Sequence, residues 1–548
     1  MRILPPAHLL FAAILTGSWL PLASAAKTGT EQPPNIILFL ADDLGIGDVK
    51  CYGGDRSQTE TPNFDRLAAE GVKFTDAHAT ASVCVPSRMS LLTGRYAWRF
   101  AKPETGGPWG FLGPRFAPDQ TTIASYLQRA GYRTAIAGKW HLGLRMVTRD
   151  GEVQDSHNTD FTKPVARGPN DYGFAESFIL PGSLDMYPYA YLRNQMWVGE
   201  VTATKGWSAF HRLGPAEVDF KDHEVLDQFL TEAEAFLDDH VAHHGEKPFF
   251  LYVPVTSPHT PTSPGKAFQG STELGLYGDF VKETDDCLGR LLRWLDANEL
   301  EENTLVIATS DHGAASYAGN EPLATKDQFL QMEALGHFSS GPYRGFKFST
   351  FEGGNRVPFV VRWPAKAKER MVSQGLVSLS DVVRTAAEAA GVELADAEAP
   401  DSVSFLPLLV GPTRQAPRRN LVVTGTRSWG FRDAQWKLIL GPGSGSHGKW
   451  GNRPGSEEAW QAAIETFGRK PTRGELLQAP FIQLYHLESD PGETKNLASQ
   501  HPDRIHLLIE QLDTLLVSGR TTPGEWLEND VGAPVNYFPG VPSFARGW

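Results

Sequence analysis

The sequence predicts an α/β protein: a large, doubly wound, mixed but mostly parallel sheet sandwiched by helices, followed by a smaller C-terminal subdomain of antiparallel sheet plus helix. Three observations carry that expectation. Short apolar runs of strand length alternate with amphipathic helical stretches from residue 35 onward. The first run is continuously apolar, as in a strand buried on both faces. Most runs also end in charged or polar residues, which is where an open α/β sheet places its ligands.

Taken in order, Arg2, the mostly apolar Leu9–Leu22 and the small residues Ala23-Ser24-Ala25 read as a signal peptide over 1–25. The apolar run is shorter than the roughly 20 residues of a membrane span and is broken by Gly17 and Pro21. The mature protein is therefore expected to be exported, periplasmic or secreted, with no stable membrane insertion after cleavage. After a polar lead-in, Asn35–Ala41 is the first strand and ends in Asp42-Asp43. Pro62 to Gly71 is a short helix with Phe64, Leu67 and Ala68 inward, and Val72–Thr75 is a strand. Thr121–Ala130 is helical and Gly131 closes it; Thr134–Ala137 then delivers Gly138-Lys139-Trp140-His141-Leu142-Gly143. Arg145–His223 is rich in Gly, Pro, Tyr and Trp and reads as long loops over the site or as a structural insertion. The helix Val225–His240 precedes strand Pro248–Val255 and Ser257-Pro258-His259. The helix Tyr277–Ala297 precedes strand Thr304–Thr309 and Ser310-Asp311-His312-Gly313. Lys347 precedes a Gly-rich turn and the strand Val357–Arg362.

Prolines and an Arg-rich turn around Pro400–Arg419 mark a boundary, giving a catalytic domain over 26–410 and a subdomain over 411–548. In the latter, Leu421–Val423, Trp436–Leu440 and Ile482–Leu487 read as strands, and Ile505, Leu508, Leu512 and Leu515 as one face of a helix. The 548-residue length fits more than one domain. A formal charge of -13 argues against nucleic acid and requires a local basic cluster for any anionic substrate. Three cysteines are too few for a disulfide framework. Cys287 lies beside an apolar helix face, Cys51 is free or paired with it, and Cys84 has chemical surroundings.

Those surroundings are Ser82-Val83-Cys84-Val85-Pro86-Ser87-Arg88, in a helical run that Gly94 can close. Pro86 suits the first turn, so Cys84 falls at the positive end of the helix with Arg88 one turn on, an arrangement that lowers a thiol pKa or gathers an anion. Asp42-Asp43 and Asp311-His312 place carboxylates and an imidazole at two strand ends, where buried like charges need a cation. Oxygen ligands favour Ca²⁺ or Mg²⁺, while His312 leaves Mn²⁺ or Zn²⁺ open. Arg88, Lys139 and Lys347 can form an anion pocket, with His141 and His259 as proton-transfer groups. Together these residues read as metal-assisted hydrolysis of an anionic ester.

Cys84-Val85-Pro86-Ser87-Arg88 with Leu91-Leu92-Thr93-Gly94-Arg95 resembles the signature of the type I sulfatases, in the alkaline phosphatase superfamily. The resemblance extends to Leu40-Ala41-Asp42-Asp43-Leu44-Gly45, Gly138–Gly143, Lys347 with Glu352–Pro358, and Leu484-Tyr485-His486-Leu487 through Leu497. It implies that Cys84 is converted by a formylglycine-generating maturation enzyme to Cα-formylglycine, whose hydrate is the nucleophile. It further implies one Ca²⁺ held by Asp42, Asp43, Asp311, His312 and modified Cys84; His312 stands where the family often has Asn. Arg88 would hold the nucleophile, Lys139 and Lys347 the sulfate oxygens; His259 would protonate the leaving alcohol and His141 take the second hydroxyl's proton. The implied substrate is an O-sulfated carbohydrate. Arg95-Tyr96-Ala97-Trp98-Arg99 resembles enzymes acting on galactose- or N-acetylgalactosamine-type sugars, and Tyr187, Tyr191, Trp197 and Trp207 could pack on sugar rings or form loop core. The alternatives are a phosphomonoesterase or phosphodiesterase of the same superfamily, which mostly uses Ser or Thr with two zinc ions, and a non-catalytic glycan-binding relative.

Overall fold

Ten strands form the main sheet of the computed structural model, which describes residues 32–101, 103–206, 212–320, 328–367, 369–411, 416–426, 428–441, 443 and 482–530. In chain order they are β1 (Asn35–Asp42), β2 (Val72–Phe74), β3 (Arg133–Lys139), β4 (Glu176–Leu180), β5 (Leu192–Arg193) and β6 (Met196–Trp197). They continue as β7 (Phe249–Pro258), β8 (Thr304–Ser310), β9 (Phe359–Arg362) and β10 (Met371–Ser373). The spatial order is β10-β2-β9-β8-β1-β7-β3-β4-β5-β6. The central strands β8, β1, β7, β3 and β4 are all parallel, so their carboxyl ends point the same way.

The continuous apolar run of β1 is explained by cover on both faces. Ile36, Leu38 and Leu40 join one core with Leu91 and Leu92 of α2 (Cys84–Thr93) and Leu127 of α3 (Ile123–Arg129). Ile37, Phe39 and Ala41 join the other, with Leu67 of α1 (Pro62–Glu70), Phe229 of α4 (Val225–His244) and Leu288 of α5 (Leu276–Ala297). That is the doubly wound arrangement the alternation predicts. The strand β9 differs from its neighbours: it runs antiparallel to β8 and β2. Lys347 therefore reaches the site from the loop preceding β9 rather than from a strand's carboxyl end.

The C-terminal sheet has four antiparallel strands, β11 (Asn420–Thr424), β12 (Trp429–Asp433), β13 (Trp436–Leu440) and β14 (Ile482–His486). Helix α6 (Pro502–Ser518) packs Ile505, Leu508, Leu512 and Leu516 on it, with Leu515 half-buried against the same core. The strand β12 was not among those the sequence predicts, because Gly430, Arg432 and Asp433 dilute its apolar pattern. Tyr96 and Arg99, in the stretch whose resemblance implies the sugar class, are fully buried. Arg99 forks onto Asp401, Nε to Oδ2 at 2.8 Å and Nη2 to Oδ1 at 3.0 Å, and Tyr96 packs into the same core as α6. All three cysteines are free, and Cys287 is buried as expected. The signal segment and Trp207 lie outside the described residues. Among those described, no helix is long and apolar enough to cross a membrane.

A buried acid on α5 gives the fold a pH response. Burial pushes the Glu283 carboxyl up to about 8 from its ordinary 4.5, while the Gly265 amide donates to Oε2 at 2.7 Å. Folded protein thus holds a proton that the unfolded chain has released across that window. This group's stability contribution is full below the unfolded value and is lost as pH rises through the folded one. The advantage of Glu283→Gln over the parent is expected to grow by roughly 1–3 kcal/mol between pH 5 and pH 9. Denaturation midpoints check this; a pH-independent difference would contradict it.

Candidate active site

The sheet delivers the acids first. Asp42 is the last residue of β1, and Asp43 follows with φ +65°, a turn that leaves both carboxylates at the strand end. Asp311 and His312 follow β8, the next strand over, and the Asp43 amide donates to Asp311 Oδ1 at 3.2 Å. The Leu44 amide donates to Ser310 Oγ at 3.0 Å, locking the two strand ends together.

Helix α2 starts at Cys84, as its residues predict, and Gly94 closes it at φ +64°. Arg88, one turn on, donates Nε to Asp311 Oδ2 at 3.0 Å and Nη1 to the Lys139 carbonyl at 3.3 Å. Its Nη2 has no hydrogen-bond partner among the described residues and lies 3.5 Å from Asp42 Oδ1. Cys84 Sγ is 3.6 Å from Asp42 Oδ1 and 3.3 Å from His312 Nε2. The thiol does not follow the helix-end expectation. Burial pushes it well up, against the opposing pull of Lys139 and Lys347, so the unmodified side chain is a neutral thiol.

The cations come from separate elements. Lys139 ends β3 and pairs with Asp42 Oδ2. Lys347 Nζ reaches Asp43 Oδ1 at 2.8 Å and Oδ2 at 3.0 Å. His259 follows β7, with Nε2 3.7 Å from Asp43 Oδ2 and Nδ1 2.6 Å from the Thr260 carbonyl. His141 is buried two residues beyond β3, and its Nδ1 has no partner among the described residues. Every site residue expected from the sequence is thus buried within one end of the sheet.

Electrostatics separates the two leading acids. Burial would raise Asp42, but Lys139, His259, Arg88 and Lys347 hold it well below the carboxylate range. Asp43 is pushed up to about 6 by burial and by the neighbouring Asp42 and Asp311, with Lys347 and His312 pulling down. Burial, then Lys139 and Arg88, hold His141 well below its ordinary range. Burial, then Lys347, does the same to His259.

Donor atoms of Asp42, Asp43, Cys84 and His312 all lie within 4.8 Å of one another, a set that fits a divalent cation. The His312 ring is aimed for it: Nδ1 faces the Gly313 carbonyl at 3.0 Å, which leaves Nε2 turned towards the acids. Asp311 stands at the rim, one oxygen taken by Arg88 and the other 3.6 Å from His312 Nε2. A second group, Asp76, His78 and Glu352, has the same spacing of donor atoms but lies apart from Cys84. Arg356, Arg432 and Lys437 already pair with it, so it is an ion network between the main sheet and β12–β13.

Two of the aromatic loop residues, Tyr191 and Trp197, are core. Tyr191 stacks on Phe178 with centroids 4.8 Å apart, Trp197 meets Phe161 edge-on at 4.9 Å, and both are buried. A carbohydrate substrate therefore gains no support from Tyr191 and Trp197, while Tyr187 is half-buried. A residue that sequence reasoning missed is Asp185, a buried carboxylate 4.0 Å from His259 Nδ1. A lone Asp in a Gly-, Pro- and Tyr-rich stretch carries no sequence signal.

The carboxyl end of the parallel sheet thus gathers buried acids, cations, two imidazoles and the helix-borne Cys84 in one place. A family profile described as Sulfatase matches residues 34–392, and the chain belongs to that family, whose members hydrolyse sulfate esters. It is 32% identical over 526 residues to an N-acetylgalactosamine-6-O-sulfatase of Bacteroides thetaiotaomicron, covering 88% of this chain and 93% of that one. It is 30% identical to the N-acetylgalactosamine-6-sulfatase of Sus scrofa, covering 91% of this chain and 90% of that one. A structure solved for glycosaminoglycan metabolism by Bacteroides thetaiotaomicron superposes with TM-score 0.73 at 31% identity, covering 88% of this chain and 99% of that one.

Proposed function

We propose that this sulfatase removes O-sulfate from a carbohydrate, of galactose or N-acetylgalactosamine type, using Ca²⁺ and a formylglycine made from Cys84. The observation that carries the reading is the convergence of Cys84 with Asp42, Asp43 and His312 inside a ring of buried cations. The sugar class is supported by relatives named for N-acetylgalactosamine-6-sulfate that match along most of the chain. The reading includes export through the signal over 1–25, a maturation enzyme acting on Cys84, and a division into domains near residue 410.

A bound cation would neutralise the carboxylates and polarise the ester, and the aldehyde hydrate would supply a hydroxyl nucleophile with a second hydroxyl for release. Asp42, Asp43, Asp311, His312 and residue 84 would hold that cation. Arg88, with Nη2 facing the cluster, holds the nucleophilic oxygen. Lys139 and Lys347 now pair with Asp42 and Asp43. Both ammonium groups would meet sulfate oxygens beside the carboxylates that would hold the cation. His141, kept neutral by burial and by Lys139, accepts the proton whose removal releases sulfate. His259 donates a proton to the leaving alcohol from Nε2, since Nδ1 is committed to the Thr260 carbonyl. Burial and Lys347 oppose its charged form, but a negative ester beside it works the other way.

The test is a screen of defined sulfated saccharides against matched phosphate monoesters, with mass spectrometry of the Cys84 peptide. Sulfate esters should be turned over at least ~10-fold better. A preference for phosphate would overturn the reaction assigned. An unmodified thiol in a fully active sample would overturn the formylglycine.

A further inference from the structure

Beside the reaction centre, one buried carboxylate has an oxygen left without a partner. Asp185 follows β4 and is 2% exposed. Its Oδ2 accepts from Arg212 Nη1 at 2.6 Å. Its Oδ1 has no hydrogen-bond partner among the described residues, and a buried acceptor without a donor is costly. The neighbouring ring cannot supply one, because His259 Nδ1 is 4.0 Å away and already bonded to the Thr260 carbonyl. The other nitrogen of that ring, Nε2, faces Asp43 at 3.7 Å. The imidazole assigned to the leaving alcohol thus has this acceptor near one nitrogen and Asp43 near the other.

The surroundings hold this carboxylate still. Arg212 Nη1 donates again to the Asp185 carbonyl at 3.1 Å, and its guanidinium carbon lies 3.4 Å from the Trp109 ring centroid. Tyr189 Oη donates to the Arg212 carbonyl at 2.8 Å. Trp109 adopts φ +60°, a conformation that a non-glycine residue keeps only where its neighbours enforce it. Next to it the Gly110 amide donates to the Tyr187 carbonyl at 2.9 Å. Gly214, on the strand Gly214–Ala216 that follows Arg212, lies against the Tyr187 ring; a Cβ there would sit 2.1 Å from Tyr187 Cγ. Three separate loops thus fix one carboxylate oxygen in place, the kind of preorganisation that a specificity contact needs.

We propose that Asp185, held by Arg212, is a specificity-determining residue that accepts a hydrogen bond from a ring hydroxyl of the sugar carrying the sulfate. The inference rests on the carbohydrate-sulfatase reading above. The leaving oxygen of such a substrate lies at His259, so its ring hydroxyls fall beside the same imidazole, within reach of Oδ1. A carboxylate there accepts a hydroxyl proton and repels a second sulfate or a uronate, so it selects a neutral polyol face.

The experiment uses the mature, metal-loaded enzyme with N-acetylgalactosamine 6-sulfate, its 3-deoxy and 4-deoxy analogues, and 4-nitrophenyl sulfate, which has no ring hydroxyls. In the parent enzyme one deoxy analogue should show kcat/KM about 10- to 100-fold below the full sugar. Asp185→Asn and Asp185→Ala should lower kcat/KM on the full sugar by a similar factor and nearly erase the difference between it and that analogue. Their losses on the aryl sulfate should be at least ~10-fold smaller, which also reports that the variants fold. Parent-to-deoxy ratios that the variants leave unchanged would overturn the proposal, as would equal losses on sugar and aryl ester. Parent enzyme that cleaves the aryl ester and no sulfated sugar would overturn it together with the carbohydrate reading. Sugar turnover with unchanged ratios would overturn the Asp185 contact alone.

Discussion

Cys84→Ala is expected to lower turnover of any sulfate ester by at least ~10⁴-fold, with little change in stability. The size follows from removing the atom on which the nucleophile is built, since groups acting as a unit lose nearly all catalysis when one is deleted. Stability should change little because Cys84 is small, and its neighbours Asp42 and His312 keep their other partners. The cost of the lost sulfur atom is about 1 kcal/mol. Steady-state kinetics with a thermal melt measures both. Retained turnover would remove Cys84 from the mechanism, and loss of the folded state would show a structural role instead. The neutral thiol adds a second expectation: unmodified protein should react slowly with thiol reagents at neutral pH, because burial disfavours the thiolate.

Removing the divalent cation is expected to cost about 10³-fold in kcat/KM, restored by Ca²⁺. Asp42, Asp43 and Asp311 are all buried, and they pair with Lys139, Lys347 and Arg88. The first two of these are the groups assigned to the sulfate. Cation and substrate should therefore bind cooperatively, each freeing the partners the other needs. Proton competition sets the direction with pH. Asp43 is pushed up to about 6, so cation affinity should weaken as pH falls through that value and the carboxylate takes a proton. Chelation followed by calorimetric titration at several pH values measures this. Full activity after exhaustive chelation would overturn the metal site, and stronger binding at lower pH would overturn the role of Asp43.

Much of this site could be read from the chain because its residues belong to local patterns. Asp42-Asp43 ends an unbroken apolar strand, Lys139 ends another, and Cys84 and Arg88 share one turn of a helix that Gly94 stops. Each pattern depends on interactions within a few residues, and those the sequence displays directly. The aromatic loop residues were harder to read. Tyr191 and Trp197 have the composition of sugar platforms, yet they pack against Phe178 and Phe161. Tyr96 and Arg99 lie just after the nucleophile in sequence but serve the joint with the C-terminal sheet through Asp401.

The parallel sheet, the helix that begins at Cys84 and the family to which the chain belongs follow from local patterns in the chain. Period, caps and strand-end residues are local properties, and they survive into the fold unchanged. Only the tertiary structure decided the state of the Cys84 thiol, which follows burial rather than the helix end, and the direction from which Lys347 arrives, which follows the antiparallel β9. It also decided what stands beside His259. Asp185, Arg212 and Trp109 come from distant loops, and none has a pattern of its own. Their relation is made by packing, because an unpaired carboxylate oxygen has meaning only once the groups that fail to reach it are in place.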